Sequence, residues 1–208
     1  TVGVIKYTRT VDDTALIDDP CLIQQHGKDT SYYHASGASC VLWLRSPRKH
    51  LESLLTEAMN KLSQYDVVIV EGNSPIEFLH PDGVICIVGS GSMPEKSSAR
   101  KTLQYADVLA VAPNGRYPDY ARTVPVVQLP DLTHHMDFRA LFALIEQMDD
   151  ILTKKTIIKR LTEQAENGKI SCSAARMIAE DLGVAYAQVG SVANELQIKI
   201  KQCELGCF

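Results

Sequence analysis

DVVIVEGN, residues 66–73, holds an unbroken apolar run that ends in a carboxylate followed directly by a glycine. The run is too short for a helix, and its β-branched residues predict a parallel-sheet strand buried on both faces. Open α/β sheets bind ligands beyond the carboxyl ends of their strands, so Glu71 is predicted to lie at the mouth of a cleft. Gly72 would let a phosphate or another backbone approach closely. A Mg²⁺ carboxylate fits this position, and so does a solvated strand end.

The composition is typical of a soluble globular protein. The chain has 208 residues, of which 45% are hydrophobic and 22% charged, and its net charge of -4 argues against wholesale nucleic-acid binding. No apolar run approaches the ~20 residues of a membrane span and no signal peptide is visible, so we expect a cytoplasmic protein without membrane contact. Six cysteines are too sparse for a disulfide scaffold and would be thiols or metal ligands.

Strands alternate with helices on both sides of the opening stretch. Further strand patterns occupy residues 1–7, 38–44, 84–88, 107–112 and 123–129. Helical periodicity covers residues 48–63, 97–105 and 137–152, whereas residues 11–20 have the composition of a loop. This alternation predicts a three-layer α/β domain with a mainly parallel sheet over residues 1–152.

Polar residues fall at the predicted sheet edge that Glu71 occupies. Lys6 and Thr8 lie at the carboxyl end of the first strand, where they could meet an anion. Asp29 and Thr30 open a short helix, and either residue is a suitable N-cap. Capping and solvation would explain all four residues, and a shared ligand site is the alternative.

Residues 153–208 predict a second, small helical domain. The segment ARMIAEDLGVAYAQVGSVANEL at 175–196 has the apolar spacing of a helix-turn-helix, with Gly183 in the turn, and an ordinary helical hairpin would share this pattern. The exposed face of the second helix would offer Gln188, Ser191 and Asn194 but no Arg or Lys. Phosphate neutralisation normally supplies most DNA affinity, so protein docking or ligand sensing ranks above DNA binding.

The chain closes with CELGCF, which places Cys203 and Cys207 four residues apart, and Cys172 opens the same domain. The three thiols could form a soft-metal or iron–sulfur site that lacks one ligand, or that completes its ligand set in a homodimer. C-x-x-x-C is not the spacing of a zinc ribbon. A set of small buried residues is the alternative.

Three segments of the first domain together resemble the molybdopterin-guanine dinucleotide biosynthesis protein B (MobB) family, a branch of the P-loop GTPases. The matching pieces are VGVIKYT at 2–8, GKDTSYYHASGAS at 27–39 and DVVIVEG at 66–72, in the order that the family has. The resemblance covers residues 1–115. It departs at Tyr7, Arg9 and Thr10, where the family tends to carry histidines, and at Asn73, where an aromatic residue is usual.

The resemblance implies a P-loop NTPase-like fold and a GTP-binding accessory protein of molybdenum cofactor biosynthesis or delivery. The residues that it places around GTP, Mg²⁺ or a bound molybdopterin are Lys6, Thr8, Asp29, Thr30, Glu71 and Gly72. It further implies electrostatic positioning with at most weak GTPase activity, and partners among cofactor biosynthesis proteins or acceptor molybdoenzymes. The alternative is a ligand-sensing regulator whose helix-turn-helix domain binds DNA.

The family's Walker A loop, G-x-x-x-x-G-K-[ST], lies upstream of the first matched segment and occurs nowhere in these 208 residues. The segment GSGSMPEKSS at 89–98 is a poor substitute, because Lys96 follows a glutamate that would repel phosphate. We therefore expect roughly 30 further N-terminal residues, enough for one strand and one helix. Without them, the strand ending at Glu71 should have an open edge with unpaired backbone groups and exposed apolar side chains.

Isothermal titration of residues 1–208 with GTP and Mg²⁺ tests this expectation. We expect no binding in the micromolar range, because no segment supplies the backbone N–H groups and helix N-terminus that hold phosphates in a P-loop. Micromolar or tighter binding would contradict the expectation and would reveal a phosphate site of another kind.

Overall fold

The computed structural model describes residues 1–91, 97–129 and 138–202, and strands alternate with helices through these residues. The chain divides into two units, each drawn from two segments. The first unit comprises Thr1–Pro81 with Pro94–Gln104, and the second comprises Asp82–Met93 with Tyr105–Phe208. Both units combine helices with sheets, so the predicted α/β class is confirmed.

A four-stranded sheet forms the first unit. Its elements in chain order are β1 (Val2–Arg9), β2 (Ala15–Ile17), α1 (Pro20–Ile23), α2 (Asp29–Ala35), β3 (Cys40–Ser46), α3 (Leu51–Lys61), β4 (Val67–Glu71) and α4 (Ser97–Gln104). The strand order is β2-β3-β1-β4. β1 pairs in parallel with β3 and β4, whereas β2 is antiparallel to β3. The loop prediction for residues 11–20 was wrong at β2, because three apolar residues there add a short edge strand.

Helix α3 covers one face of this sheet. The predicted periodicity is confirmed, because Leu51, Leu55 and Ala58 of the helix and Leu62 directly after it are all buried. They belong to one apolar cluster with strand residues that include Ile5, Leu42 and Leu44. Burial of such side chains contributes roughly 1.5–3 kcal/mol each. On the opposite face, a smaller cluster joins the sheet to α1 and α2.

β4, the strand of the opening sequence, lies at the end of its sheet. Val68 and Val70 pack into the cluster beneath α3, whereas Val67 and Ile69 on the other face are 51% and 52% exposed. The predicted parallel pairing is confirmed, and burial on both faces was wrong. A β-branched run does not reveal whether its strand will be central or terminal. The expected edge with exposed apolar side chains is confirmed, since no strand pairs with the outer side of β4 among the described residues.

The second unit contains two small parallel sheets. Its elements are β5 (Ile85–Val88), β6 (Val108–Val111), β7 (Val126–Gln128), α5 (Phe138–Gln164), β8 (Lys169–Ser171), α6 (Cys172–Leu182), α7 (Tyr186–Glu195) and β9 (Lys199–Lys201). The strand order of the first sheet is β5-β6-β7, and β8 pairs with β9 in the second. β6 is fully buried, whereas Ile85 and Ile87 of the end strand β5 are exposed. The prediction of a buried run at residues 84–88 was therefore only half right.

The C-terminal elements share one apolar cluster. Its buried members include Ile157 and Leu161 of α5, Ile178 of α6, and Val189 and Val192 of α7. Helix α5 continues through residue 152, where the sequence predicted a domain boundary, so that boundary stays a prediction.

A short turn joins α6 to α7. Gly183 ends α6 with φ +65°, a left-handed conformation that glycine adopts without steric cost. Gln188, Ser191 and Asn194 are exposed on α7, as predicted.

Candidate functional site

Four side chains converge at the carboxyl end of β4, and we call them the strand-end cluster: Lys6, Asp29, Tyr33 and Glu71. The Lys6 ammonium lies against Oε2 of Glu71 and 2.6 Å from Oδ2 of Asp29. The Tyr33 hydroxyl donates a hydrogen bond of 3.2 Å to the same Glu71 oxygen. Three of the sequence-predicted residues are therefore brought together, and Tyr33 joins them.

Strand register and helical spacing create this arrangement. Lys6 is the register partner of Glu71 in the parallel β1–β4 pair, so the two side chains leave the same face of the sheet. Helix α2 lies on that face, where Tyr33 packs into the smaller apolar cluster. Asp29 and Tyr33 are four residues apart on α2 and therefore lie on one side of the helix.

Lys6 is the least accessible ion of the cluster, with 18% of its side chain exposed, against 43% for Glu71 and 60% for Asp29. Burial alone would lower the pKa of Lys6, but hydrogen bonds and charges from Asp29 and Glu71 outweigh it and raise the pKa. Burial, followed by the charge of Glu71, raises the pKa of Tyr33 to about 12. Tyr33 therefore stays a neutral donor at physiological pH, and the two carboxylates keep accessible oxygens.

A second group of side chains continues along the same face. Thr8, another predicted site residue, accepts a hydrogen bond of 2.9 Å from Nε1 of Trp43. The Arg45 guanidinium lies 5.2 Å from the Trp43 ring centre and 2.7 Å from Oδ2 of Asp13. The β1–β3 register pairs Lys6 with Trp43 and Thr8 with Arg45, which sets this row beside the cluster.

Sequence reasoning missed Tyr33, Trp43 and Arg45. The four-residue spacing of Tyr33 from Asp29 was the available signal for the first of these. Only the β1–β3 register connects Trp43 and Arg45 to the site, and a single sequence does not show which strands pair.

The predicted site residue Thr30 does not belong to the strand-end cluster. Its side chain is buried, and its hydroxyl donates a hydrogen bond of 2.8 Å to the carbonyl of Ile23. The N-cap residue of α2 is Lys28, so the capping prediction for Asp29 or Thr30 was wrong. The Thr30 hydroxyl ties α2 to the end of α1, and Asp29, the first helical residue, turns to Lys6.

Gly72 has a conformational reason to be glycine. Its φ of +140° is strained for any residue with a side chain, and a Cβ there would lie 3.2 Å from Cβ of Tyr7. The group that approaches Gly72 closely in this structure is therefore the side chain of Tyr7. Ligand contact at Gly72 stays a prediction.

The predicted metal ligands are only partly described. Cys172 is half-buried, and Cys203 and Cys207 lie outside the described residues. Within the ranges that the structure describes, no three His, Cys, Asp or Glu side chains form a group that could hold a metal ion. The three-thiol site is therefore still a prediction at this point.

A cavity of about 310 Å³ lies beside α2 but does not include the strand-end cluster. Its lining residues are Gln24, His26, Gly27, Ser31, Tyr32, His34 and Ala35. No Lys, Arg, Asp or Glu lines this cavity. We place the candidate site at the strand-end cluster, because there charged groups converge at the carboxyl ends of parallel strands.

Comparison with known proteins gives no assignment: no family model, no curated protein and no solved structure matches the chain. In the part of the chain that the structure describes, no helix is long and apolar enough to cross a membrane.

Replacing the central cation should destabilise the first unit. We expect Lys6→Met to lower the free energy of unfolding by about 1–3 kcal/mol at neutral pH, because Asp29 and Glu71 would face each other without a counter-charge. Solvent screening of the two carboxylates favours the lower end of that range. Urea unfolding followed by the fluorescence of Trp43, the single tryptophan of the chain, measures the change.

The pH dependence of this effect has a defined sign. The folded state raises the pKa of Lys6 above its ordinary value of 10.5, so the stabilisation is complete below that value and is lost as the pH rises through the raised pKa. Lys61→Met is the matched control, since Lys61 forms an exposed ion pair with Asp18. If both variants changed stability equally, the special role of Lys6 would be refuted.

Proposed function

We propose that the first unit binds a Mg²⁺–nucleotide, GTP by resemblance, at the strand-end cluster. The observation that carries the proposal is the convergence of Lys6, Asp29 and Glu71 at the carboxyl ends of parallel strands, with the two carboxylates still accessible. Ligands of open α/β sheets bind at such edges. Lys6, Asp29 and Glu71 are far apart in the sequence. Their proximity in the fold supports a shared role in binding one ligand.

The chemistry of the side chains suits this ligand. Mg²⁺ prefers oxygen ligands and keeps several waters, which fits the half-exposed carboxylate of Glu71 with Asp29 nearby. Lys6 supplies the cation for phosphate oxygens, and Tyr33 holds the orientation of Glu71. When bound, the metal would neutralise phosphate charge. The residues of this chain would position the ligand, and at most weak GTP hydrolysis follows from positioning alone.

The wider role in this proposal is that of an accessory protein of molybdenum cofactor biosynthesis or delivery, with a P-loop NTPase-like first unit. It rests on the resemblance of residues 2–8, 27–39 and 66–72, which contain Lys6, Asp29 and Glu71. A molybdopterin is the alternative occupant of the same polar edge. The second unit would recruit a cofactor biosynthesis protein or an acceptor molybdoenzyme.

Glu71→Gln in residues 1–208 tests the site, with GTP titrated into the millimolar range because micromolar binding is not expected of these residues. We expect Mg²⁺-dependent GTP binding to weaken by roughly tenfold or more, since the variant loses the charge that attracts the metal. Folding should change little, because Lys6 keeps Asp29 as its partner. Isothermal titration with and without Mg²⁺ measures the effect.

Glu52→Gln, an exposed change in the first turn of α3, is the matched control and should leave binding unchanged. Equal GTP binding by Glu71→Gln and the unchanged protein, with and without Mg²⁺, would return Glu71 to the role of a solvated strand end.

A second candidate is a ligand-sensing regulator with a helix-turn-helix domain that binds DNA. The pair α6 and α7, joined at the left-handed Gly183, favours it. Against it, α7 contains no Arg or Lys, and phosphate neutralisation normally dominates DNA affinity. β9 contributes Lys199 and Lys201 but pairs in parallel with β8, so it is not one arm of the hairpin wing that winged-helix proteins use.

Electrophoretic mobility shifts of the full chain with a random-sequence DNA library at low salt separate the two candidates. We expect no sequence-dependent shift, because α7 offers no Arg or Lys to neutralise phosphates. Selection of a defined sequence would reverse the ranking of the two functions.

A further inference from the structure

A row of hydrogen-bond donors continues across the sheet from the strand-end cluster toward β2. Lys6 and Thr8 lie two residues apart on β1, and their register partners on β3 are Trp43 and Arg45. All four side chains leave the face on which α2 lies, because side chains alternate along a strand. Adjacent strands are about 4.8 Å apart and two residues span about 6.6 Å, so the Cα atoms of Lys6 and Arg45 are roughly 8 Å apart.

Thr8 lies between these two cations and has a donor to spare. Its oxygen accepts the hydrogen bond from Nε1 of Trp43, which leaves the hydroxyl hydrogen available. Among the residues that the structure describes, no acceptor takes this hydrogen. The side chain is partly exposed, so an oxygen of a ligand can reach it. Lys6, Thr8 and Arg45 therefore form one line of donors on the same face.

Arg45 is held by partners that a ligand can displace. Its guanidinium lies over the Trp43 ring and pairs with Asp13, and the side chains of Arg45 and Asp13 are 37% and 50% exposed. Ion pairs this exposed contribute little to stability, because water screens them. A phosphate group offers more charge than a carboxylate and fits the planar fork of a guanidinium through two oxygens. It therefore competes with Asp13 for Arg45.

From this row we infer that Arg45 binds a second phosphate group of a ligand whose first phosphate lies at Lys6, with Thr8 donating between them. The ligand class is a nucleoside diphosphate or triphosphate, because a monophosphate would leave Arg45 unused. The inference rests on the proposed binding of a Mg²⁺–nucleotide at the strand-end cluster. It makes Arg45 the residue that selects ligands by the number of their phosphate groups.

The charges along the row set a requirement for the metal. Lys6 and Arg45 stand against the carboxylates of Asp13, Asp29 and Glu71, so a polyphosphate alone would meet a surplus of negative charge. A Mg²⁺ ion at the carboxylates reverses that balance. Binding of pyrophosphate should therefore require Mg²⁺.

Fluorescence of Trp43 provides the test, because Arg45 lies on the ring of this single tryptophan. Residues 1–208 are titrated with pyrophosphate and separately with inorganic phosphate, each with Mg²⁺ and into the millimolar range. We expect pyrophosphate to bind about tenfold more tightly than phosphate, since only pyrophosphate gains the charge-assisted hydrogen bonds of Arg45. Arg45→Gln should remove most of this preference.

Asp13→Asn should act in the opposite direction. We expect it to strengthen pyrophosphate binding by about threefold, because it frees Arg45 and removes a negative charge from the row. Damage to the fold would weaken binding in both variants, so opposite effects identify a direct role of Arg45. Arg48→Gln is the matched control, since Arg48 pairs with Glu77 and should leave both affinities unchanged.

Equal affinities for phosphate and pyrophosphate in the unchanged protein would overturn the inference. So would an unaltered preference in Arg45→Gln, or weaker pyrophosphate binding by Asp13→Asn. Glu71→Gln separates this outcome from failure of the proposed function. If Glu71→Gln weakens Mg²⁺-dependent GTP binding and Arg45→Gln does not, the nucleotide site stands and the second phosphate position is refuted. Absence of any response to millimolar GTP and pyrophosphate would refute both.

Discussion

The parallel pairing of β1 with β3 and β4 is the constraint on which the first unit depends. Side chains alternate along a strand, so a register shift of one residue would exchange the two faces of the sheet. In the observed register, Ile5 is buried beneath α3 while Lys6 emerges on the opposite face beside Glu71. The same pairing therefore sets both the apolar core and the ion cluster. Neither can change without the other.

The ion cluster gives the ammonium of Lys6 two counter-charges. Lys6 is mostly shielded from solvent, and an unpaired ammonium there would be costly. Asp29 comes from a helix and Glu71 from a strand, so one ammonium links α2 to β4, and the Tyr33–Glu71 hydrogen bond links the same two elements. A structural ion pair and the proposed ligand site would use the same geometry.

Strand pairing also organises part of the second unit, where β8 pairs in parallel with β9. Two three-residue strands would be marginal alone, and the apolar cluster from α5, α6 and α7 holds them together. Ile170 of β8 and Ile198 beside β9 are buried in that cluster. The ribbon fixes the start of α6 relative to the end of the described chain.

The sequence by itself determined the types of the longer elements, because apolar spacing is a local property, but it missed the three-residue strands β2, β8 and β9. The periodicity of residues 48–63 predicted the buried side of α3, and the run at 66–73 predicted a parallel strand. It also singled out Lys6, Asp29 and Glu71 as members of one site. Tertiary structure alone decided that β4 ends its sheet, since a β-branched run has the same sequence at the centre and at the edge. It also decided that Tyr33, Trp43 and Arg45 join the site while Thr30 turns to Ile23, because strand register and helix docking are contacts between residues that are distant in sequence.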